Sequence, residues 1–262
     1  MRRGPRTDLP DWTSVLAVVA HPDDESFGLG AVLTRFVERG AAVHVLCLTR
    51  GEASTLHGVP GDLHRLRADE LAAAARELGL ASTSLLAHAD GHLSEIPAGH
   101  LADDVAAAVA QHSPDGLVTF DASGVTGHPD HAAATHAAVL AGQASGLPVL
   151  GWTLPGDVAA ALRGEYGAPF SGHGADEVDV VVGVDRARQL RAVMCHASQA
   201  VPGSVLWRRL ALLGAREHLR WQAAPMPARV PEPMSAAAPD PPVGSADQNS
   251  THSTEGAHPW TS

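Results

Sequence analysis

Residues 14–20 form an apolar run that ends at His21, too short for a helix and without polar alternation. That pattern predicts a strand covered on both faces. From Phe27 the period changes: Leu29, Val32, Leu33, Phe36 and Val37 recur at helical spacing, and Gly40 closes the segment. The alternation then repeats. Strands are predicted over 42–48, 82–86, 117–120 and 148–153, and helices over 63–78, 97–111, 132–141 and 155–162. A strand over 178–184, helices over 186–196 and 204–213 and a last strand over 217–221 complete the folded part. Longer loops cover 53–61 and 164–175. Residues 1–13 are expected to be an unstructured leader. The Pro-, Ala- and Ser-rich stretch 224–262 is expected to be a disordered tail, leaving 14–223 as one domain.

Strands alternating with helices imply an α/β protein with a mostly parallel sheet covered on both faces. We expect a Rossmann-like three-layer fold with core strand order 3-2-1-4-5. In that order the first and fourth strands are neighbours at the point where the winding reverses, and their exits form the ligand crevice. The first exit carries His21-Pro22-Asp23-Asp24-Glu25 and the fourth leads into His128-Pro129-Asp130-His131. Two imidazole and carboxylate clusters, more than a hundred residues apart, should therefore meet.

Composition narrows the chemistry. A net charge of −11 speaks against nucleic acid. No apolar run approaches the ~20 residues of a membrane span, and the basic start at Arg2, Arg3 and Arg6 meets Pro10 and Asp11 rather than an apolar stretch, so a cytoplasmic location is expected. Cys47 and Cys195 have no CxxC partner. The chain contains no lysine, which excludes a Schiff-base lysine and a P-loop. The first turn lacks GxGxxG, so it is not a dinucleotide site.

A catalytic zinc site needs three protein ligands and an open position. His21, Asp24 and His131 can supply two imidazoles and a carboxylate, a set that also suits ferrous iron. A carboxylate off the metal, Asp23, can accept a proton from water. His128 can stabilise or protonate a tetrahedral species, and Asp130 can orient an imidazole. Each acidic turn alone could simply start a helix, where carboxylates suit the dipole; the pair together points to a site.

Ala20 to Glu25 with Gly127 to His131 resembles the LmbE-like (PIG-L) family of zinc-dependent N-acetylglucosaminyl deacetylases. Weaker matches fall in order at Leu48 to Glu52, Arg67 with Glu70, Asp90-Gly91 and His196 to Gln199, so the resemblance spans roughly residues 14–200. It implies metal ligation by His21, Asp24 and His131, a general base in Asp23, assistance from His128, and a sugar contact from Arg67. Arg50, Glu52 and Asp90 are further candidates for substrate binding. The implied reaction is hydrolysis of an acetamide on a glucosamine unit. Alternatives are an amidase acting on thiol conjugates, a tailoring deacylase in antibiotic biosynthesis, or a non-catalytic sugar- or metal-binding module. Some relatives carry a tyrosine two residues before the first histidine of the second motif; here that position is Thr126. Among the other histidines, His44 is expected to be packed, His57 and His173 lie in loops able to line the crevice, and His196 suits either a structural bond or a substrate contact.

Overall fold

A computed structural model of the chain describes residues 4–55, 57, 58 and 61–224, all within one compact unit. Most of the expected tail lies outside the described residues. The first strand, β1 (Ser14–Val19), shows why the sheet is buried on both sides. Val15, Ala17 and Val19 enter one apolar core while Leu16 and Val18 enter the other. The period-two alternation of a strand divides a continuous apolar run between two faces. Burying each Val or Leu side chain stabilises the fold by roughly 1.5–3 kcal/mol.

The remaining strands are β2 (Ala42–Thr49), β3 (Ser82–His88), β4 (Gly116–Phe120), β5 (Val149–Thr153), β6 (Val180–Gly183) and β7 (Arg216–Ala223). They form a single seven-stranded sheet of order β3-β2-β1-β4-β5-β7-β6. The expected 3-2-1-4-5 order is present and parallel, and β7 adds antiparallel between β5 and β6. One face is covered by α2 (Gly30–Glu38) and α3 (Leu63–Leu78), the other by α4 (Ala98–His112) and α5 (Pro129–Ser145). The helices α6 (Gly156–Tyr166), α7 (Ala187–Cys195) and α8 (Val205–Leu213) follow.

Two expectations are corrected. The helix read from Phe27 starts only at Gly30, and a separate one-turn α1 (Asp24–Phe27) precedes it, with Gly28 and Leu29 between them. A Cβ on Gly28 would lie 2.6 Å from the Phe120 ring, so the chain bends where β4 crowds it. The leader is also not loose over its described part. Arg6 adds a backbone bridge beside β6, Leu9 is 1% exposed, and Trp12 stacks on Phe36 with centroids 5.6 Å apart. Isolated apolar residues among prolines and charges carry no periodicity, which is why the sequence pattern missed this packing.

Candidate metal centre and its cavity

Because β1 and β4 are parallel neighbours, the turn after β1 and the start of α5 come together. His128 caps α5: its Nδ1 accepts from Asp130 N at 3.2 Å, and Pro129 occupies the first turn, where no N–H is needed. His131 then projects back toward β1. Its Nε2 lies 3.2 Å from His21 Nδ1 and 3.1 Å from Asp24 Oδ1. All three side chains are buried.

The outer atoms of these imidazoles are already engaged. His131 Nδ1 lies 3.2 Å from Gly124 O and 2.8 Å from Thr126 Oγ1, so its proton belongs on Nδ1 and the Nε2 lone pair faces inward. His21 Nε2 faces Asp90 Oδ1 at 3.0 Å and Asp130 Oδ2 at 3.4 Å. A carboxylate behind a ligating histidine is the arrangement that orients metal ligands. Burial opposes charge on His21, yet Asp130, Asp24 and Asp90 hold its pKa well above the ordinary value. Burial likewise works against the Asp24 carboxylate, and His131 and His21 pull it well below the usual range. The cluster attracts positive charge and presents two imidazole lone pairs and a carboxylate oxygen to one point. The donor set therefore fits a divalent ion.

Asp23 stands next to these donors with φ 141°, a backbone conformation costly for any residue but glycine. It is held there locally: its N–H donates to Glu25 Oε2 at 2.9 Å, and its carbonyl accepts from Ser26 N and Phe27 N. Arg67 Nη2 donates to Asp23 Oδ2 at 2.8 Å. Burial pushes the Asp23 carboxyl up to about 6, with Arg67 pulling against it. His128 has its pKa lowered by burial and by the neighbouring His21 and His131. Since Nδ1 of His128 accepts a backbone proton, the neutral ring carries its own proton on Nε2.

Several expected site residues stand elsewhere. Asp130 is fully buried and accepts from Gly91 N at 2.8 Å and Leu93 N at 3.0 Å, so it fixes a loop and His21 rather than meeting a substrate. Arg67 is 2% exposed and points both Nη groups at Pro22 O, Gly51 O and Asp23. It lines the cavity, but as a brace for Asp23. Arg50 is exposed and does not border the cavity. Glu52 accepts from Asp90 N at 3.0 Å and sets the Asp90 backbone. Asp90 does border the cavity, with burial opposing its charge but His21 and Ala53 N holding its carboxyl at about 2. His173 bonds Asp121, His57 bonds Ser198 O, and His196 is fully buried against Glu25 at 2.7 Å. His44 stacks on His112, as a packed residue.

The cavity beside the cluster holds about 730 Å³. Its lining includes the polar side chains of Asp23, Arg67, Asp90, Ser54, Thr126, Ser204 and Gln199 and the apolar ones of Phe27, Phe120, Phe170 and Leu206. Gln199 was not foreseen as a lining residue, although it closes the His196 to Gln199 match. Phe170 and Leu206 gave no signal in the sequence.

A three-layer α/β sheet with a His/Asp/His cluster at its reversal point puts a candidate divalent-metal site where such folds hold their ligands. Residues 16–142 match the family of GlcNAc-PI de-N-acetylase, PIG-L, and the chain belongs to that family. It is 31% identical over 232 residues, covering 71% of this chain and 79% of the relative, to a 1D-myo-inositol 2-acetamido-2-deoxy-alpha-D-glucopyranoside deacetylase of Mycolicibacterium smegmatis. A Saccharopolyspora erythraea relative, the deacetylase 2 of the same activity, is 35% identical over 53% of this chain and 62% of its own length. For several such relatives the match spans only about three fifths of their length. Among solved structures, the A40926 pseudoaglycone deacetylase Dbv21 superposes with a TM-score of 0.62 at 23% identity, over 80% of this chain and 96% of that one. The N,N'-diacetylchitobiose deacetylase of Pyrococcus horikoshii gives 0.61 at 22% identity, over 82% and 85%. These two likenesses concern the fold.

Proposed function

We propose that the protein hydrolyses the amide of an N-acylated amino sugar, releasing a carboxylate, in most cases acetate, and a free amine. The observation that carries this reading is Asp23. A carboxylate with its pKa lifted to about 6 stands beside the three donors, braced by Arg67. A site that only bound metal or sugar would need no such base.

His21, Asp24 and His131 would hold the ion, with zinc the best match to two imidazoles and a carboxylate. When bound, the ion supplies a Lewis acid that polarises the amide carbonyl and makes a water acidic near neutral pH. Asp23 accepts the proton of the attacking water and later delivers it to the departing nitrogen. Arg67 keeps that carboxylate aimed. His128 donates its Nε2 proton as a hydrogen bond to the oxygen on which negative charge develops, a type of contact worth about 3–4 kcal/mol in other hydrolases. Asp90, Ser54 and Gln199, which line the cavity, offer acceptors and donors for sugar hydroxyls. Small-molecule amino-sugar amides are thus the expected partners. The test is acetate release from a panel of N-acetylglucosaminyl compounds by zinc-loaded protein. Turnover that survives complete removal of the metal would overturn the reading.

A further inference from the structure

Arg209, on α8, lies outside the segment that matches the family and has no part in the chemistry above. It is 6% exposed and borders the cavity beside Phe27. One Nη donates to Phe27 O, its carbon sits 5.1 Å over the Trp152 ring, and Nε is buried without a partner among the described residues. Among those residues no carboxylate stands within ion-pairing distance. The acid that most stabilises its charge, Glu217, is committed: Oε1 to Arg186, and Oε2 to Trp152 Nε1 at 2.7 Å. Burial lowers the Arg209 pKa to about 10, still far above neutrality, so the guanidinium remains charged. A charge held this deep without a counter-ion is costly unless something else supplies one.

We propose that Arg209 is a specificity-determining residue that receives an anionic group, a carboxylate or a phosphate, carried by the substrate. This rests on the deacylase reading of the same cavity and adds a substrate class to it. The cavity's polar side chains suit sugar hydroxyls, whereas the faces of Phe27, Phe120, Phe170 and Leu206 offer a neutral polyol's hydroxyls no partners. A guanidinium held against Phe27 suits instead a short apolar segment ending in an anion. In such surroundings a charge-assisted hydrogen bond is stronger than in water. The anion has three possible positions: the acyl group, the sugar ring or the aglycone.

Calorimetry on the zinc-loaded protein separates these. The probes are N-acetylglucosamine, N-succinylglucosamine, N-acetylmuramic acid and N-acetylglucosamine 1-phosphate, placing the anion nowhere, on the acyl group, on the ring and on the anomeric carbon. At least one anionic probe should bind about tenfold more tightly than the neutral one. Arg209→Gln should remove that preference, leaving the neutral probe within about twofold, and Arg209→Lys should retain part of it. The probe that wins identifies where the anion sits. Equal binding of all four by the unaltered protein, which requires no variant to fold, overturns the proposal. So does a preference that persists in Arg209→Gln, since the metal would then be its source. So does an equal loss for every probe, the mark of a purely structural arginine. If the preference holds but no probe releases acetate or succinate, the deacylase reading fails while Arg209 remains an anion site.

Discussion

His21 Nδ1 and His131 Nε2 lie 3.2 Å apart although 110 residues separate them in the chain. Asp24 Oδ1 lies 3.1 Å from the same His131 nitrogen and completes the group. Two neutral imidazole lone pairs repel each other at this distance, and only a shared proton or a cation relieves that. Addition of zinc to chelated protein should therefore raise Tm, with near one equivalent bound. At a free zinc concentration a hundred times its Kd the gain is about 2.7 kcal/mol. His131→Ala should abolish the shift. Absence of any Tm response in the unaltered protein would count decisively against a metal centre here.

Arg67 and Asp23 form the second pair that matters. Asp23→Asn should keep zinc affinity and fold but lose about 10²–10⁴ in kcat. Arg67→Met removes the positive charge that draws the Asp23 pKa down. The carboxyl should then hold its proton to higher pH, and the acidic limb of the kcat/KM profile should move upward. A profile unchanged in shape, with only its height reduced, would mean Arg67 does not act through Asp23.

Thr126 answers the departure from relatives with a tyrosine there. Its Oγ1 stands 2.8 Å from His131 Nδ1, so it orients that imidazole and has no phenol to offer a substrate. Thr126→Val should weaken zinc binding by about tenfold, the low end for such outer contacts, because Gly124 O still accepts from the same nitrogen. Thr126→Ser should restore it. Competition with a chromogenic chelator measures both.

What the sequence revealed follows from where information is local. The β1 run and the two His-Pro-Asp turns are contiguous, and strand order then brings the turns together, so the donors were legible. Roles that depend on partners distant in sequence were not. Arg67 reads as a substrate contact until Pro22 O, Gly51 O and Asp23 are seen to engage both its Nη groups. Asp130 reads as an orienter of an imidazole, but its hold on Gly91 N and Leu93 N, far off in sequence, was not legible. Leu9 and Trp12 belong to the core without any periodic neighbours. The apolar lining of the cavity comes from Phe27, Phe120, Phe170 and Leu206, four segments whose residues look like ordinary core positions.

Asp121 carries the last prediction. It leaves β4 at 1% exposure and accepts four bonds. Oδ1 takes Ser123 N and His173 Nε2, each at 3.0 Å; Oδ2 takes Arg220 Nη1 and Gln222 Nε2, each at 3.1 Å. This one side chain ties the loop that carries Gly124 and Thr126 to β7 and to the 164–175 loop. Asp121→Asn would turn an NH₂ against donors, and breaking a buried charged network of this kind costs about 3 kcal/mol. The pH dependence has a definite sign. Burial raises the Asp121 pKa, but His173 and Ser123 outweigh it and hold it below the ordinary value. A depressed carboxylate stabilises the fold fully above its unfolded pKa of about 3.9, and that contribution is lost as pH falls through the folded value. The gap in urea midpoint between the two proteins should therefore be constant near neutrality and narrow below about pH 4. A gap that widens on acidification would place the stabilisation in the protonated acid and contradict the network.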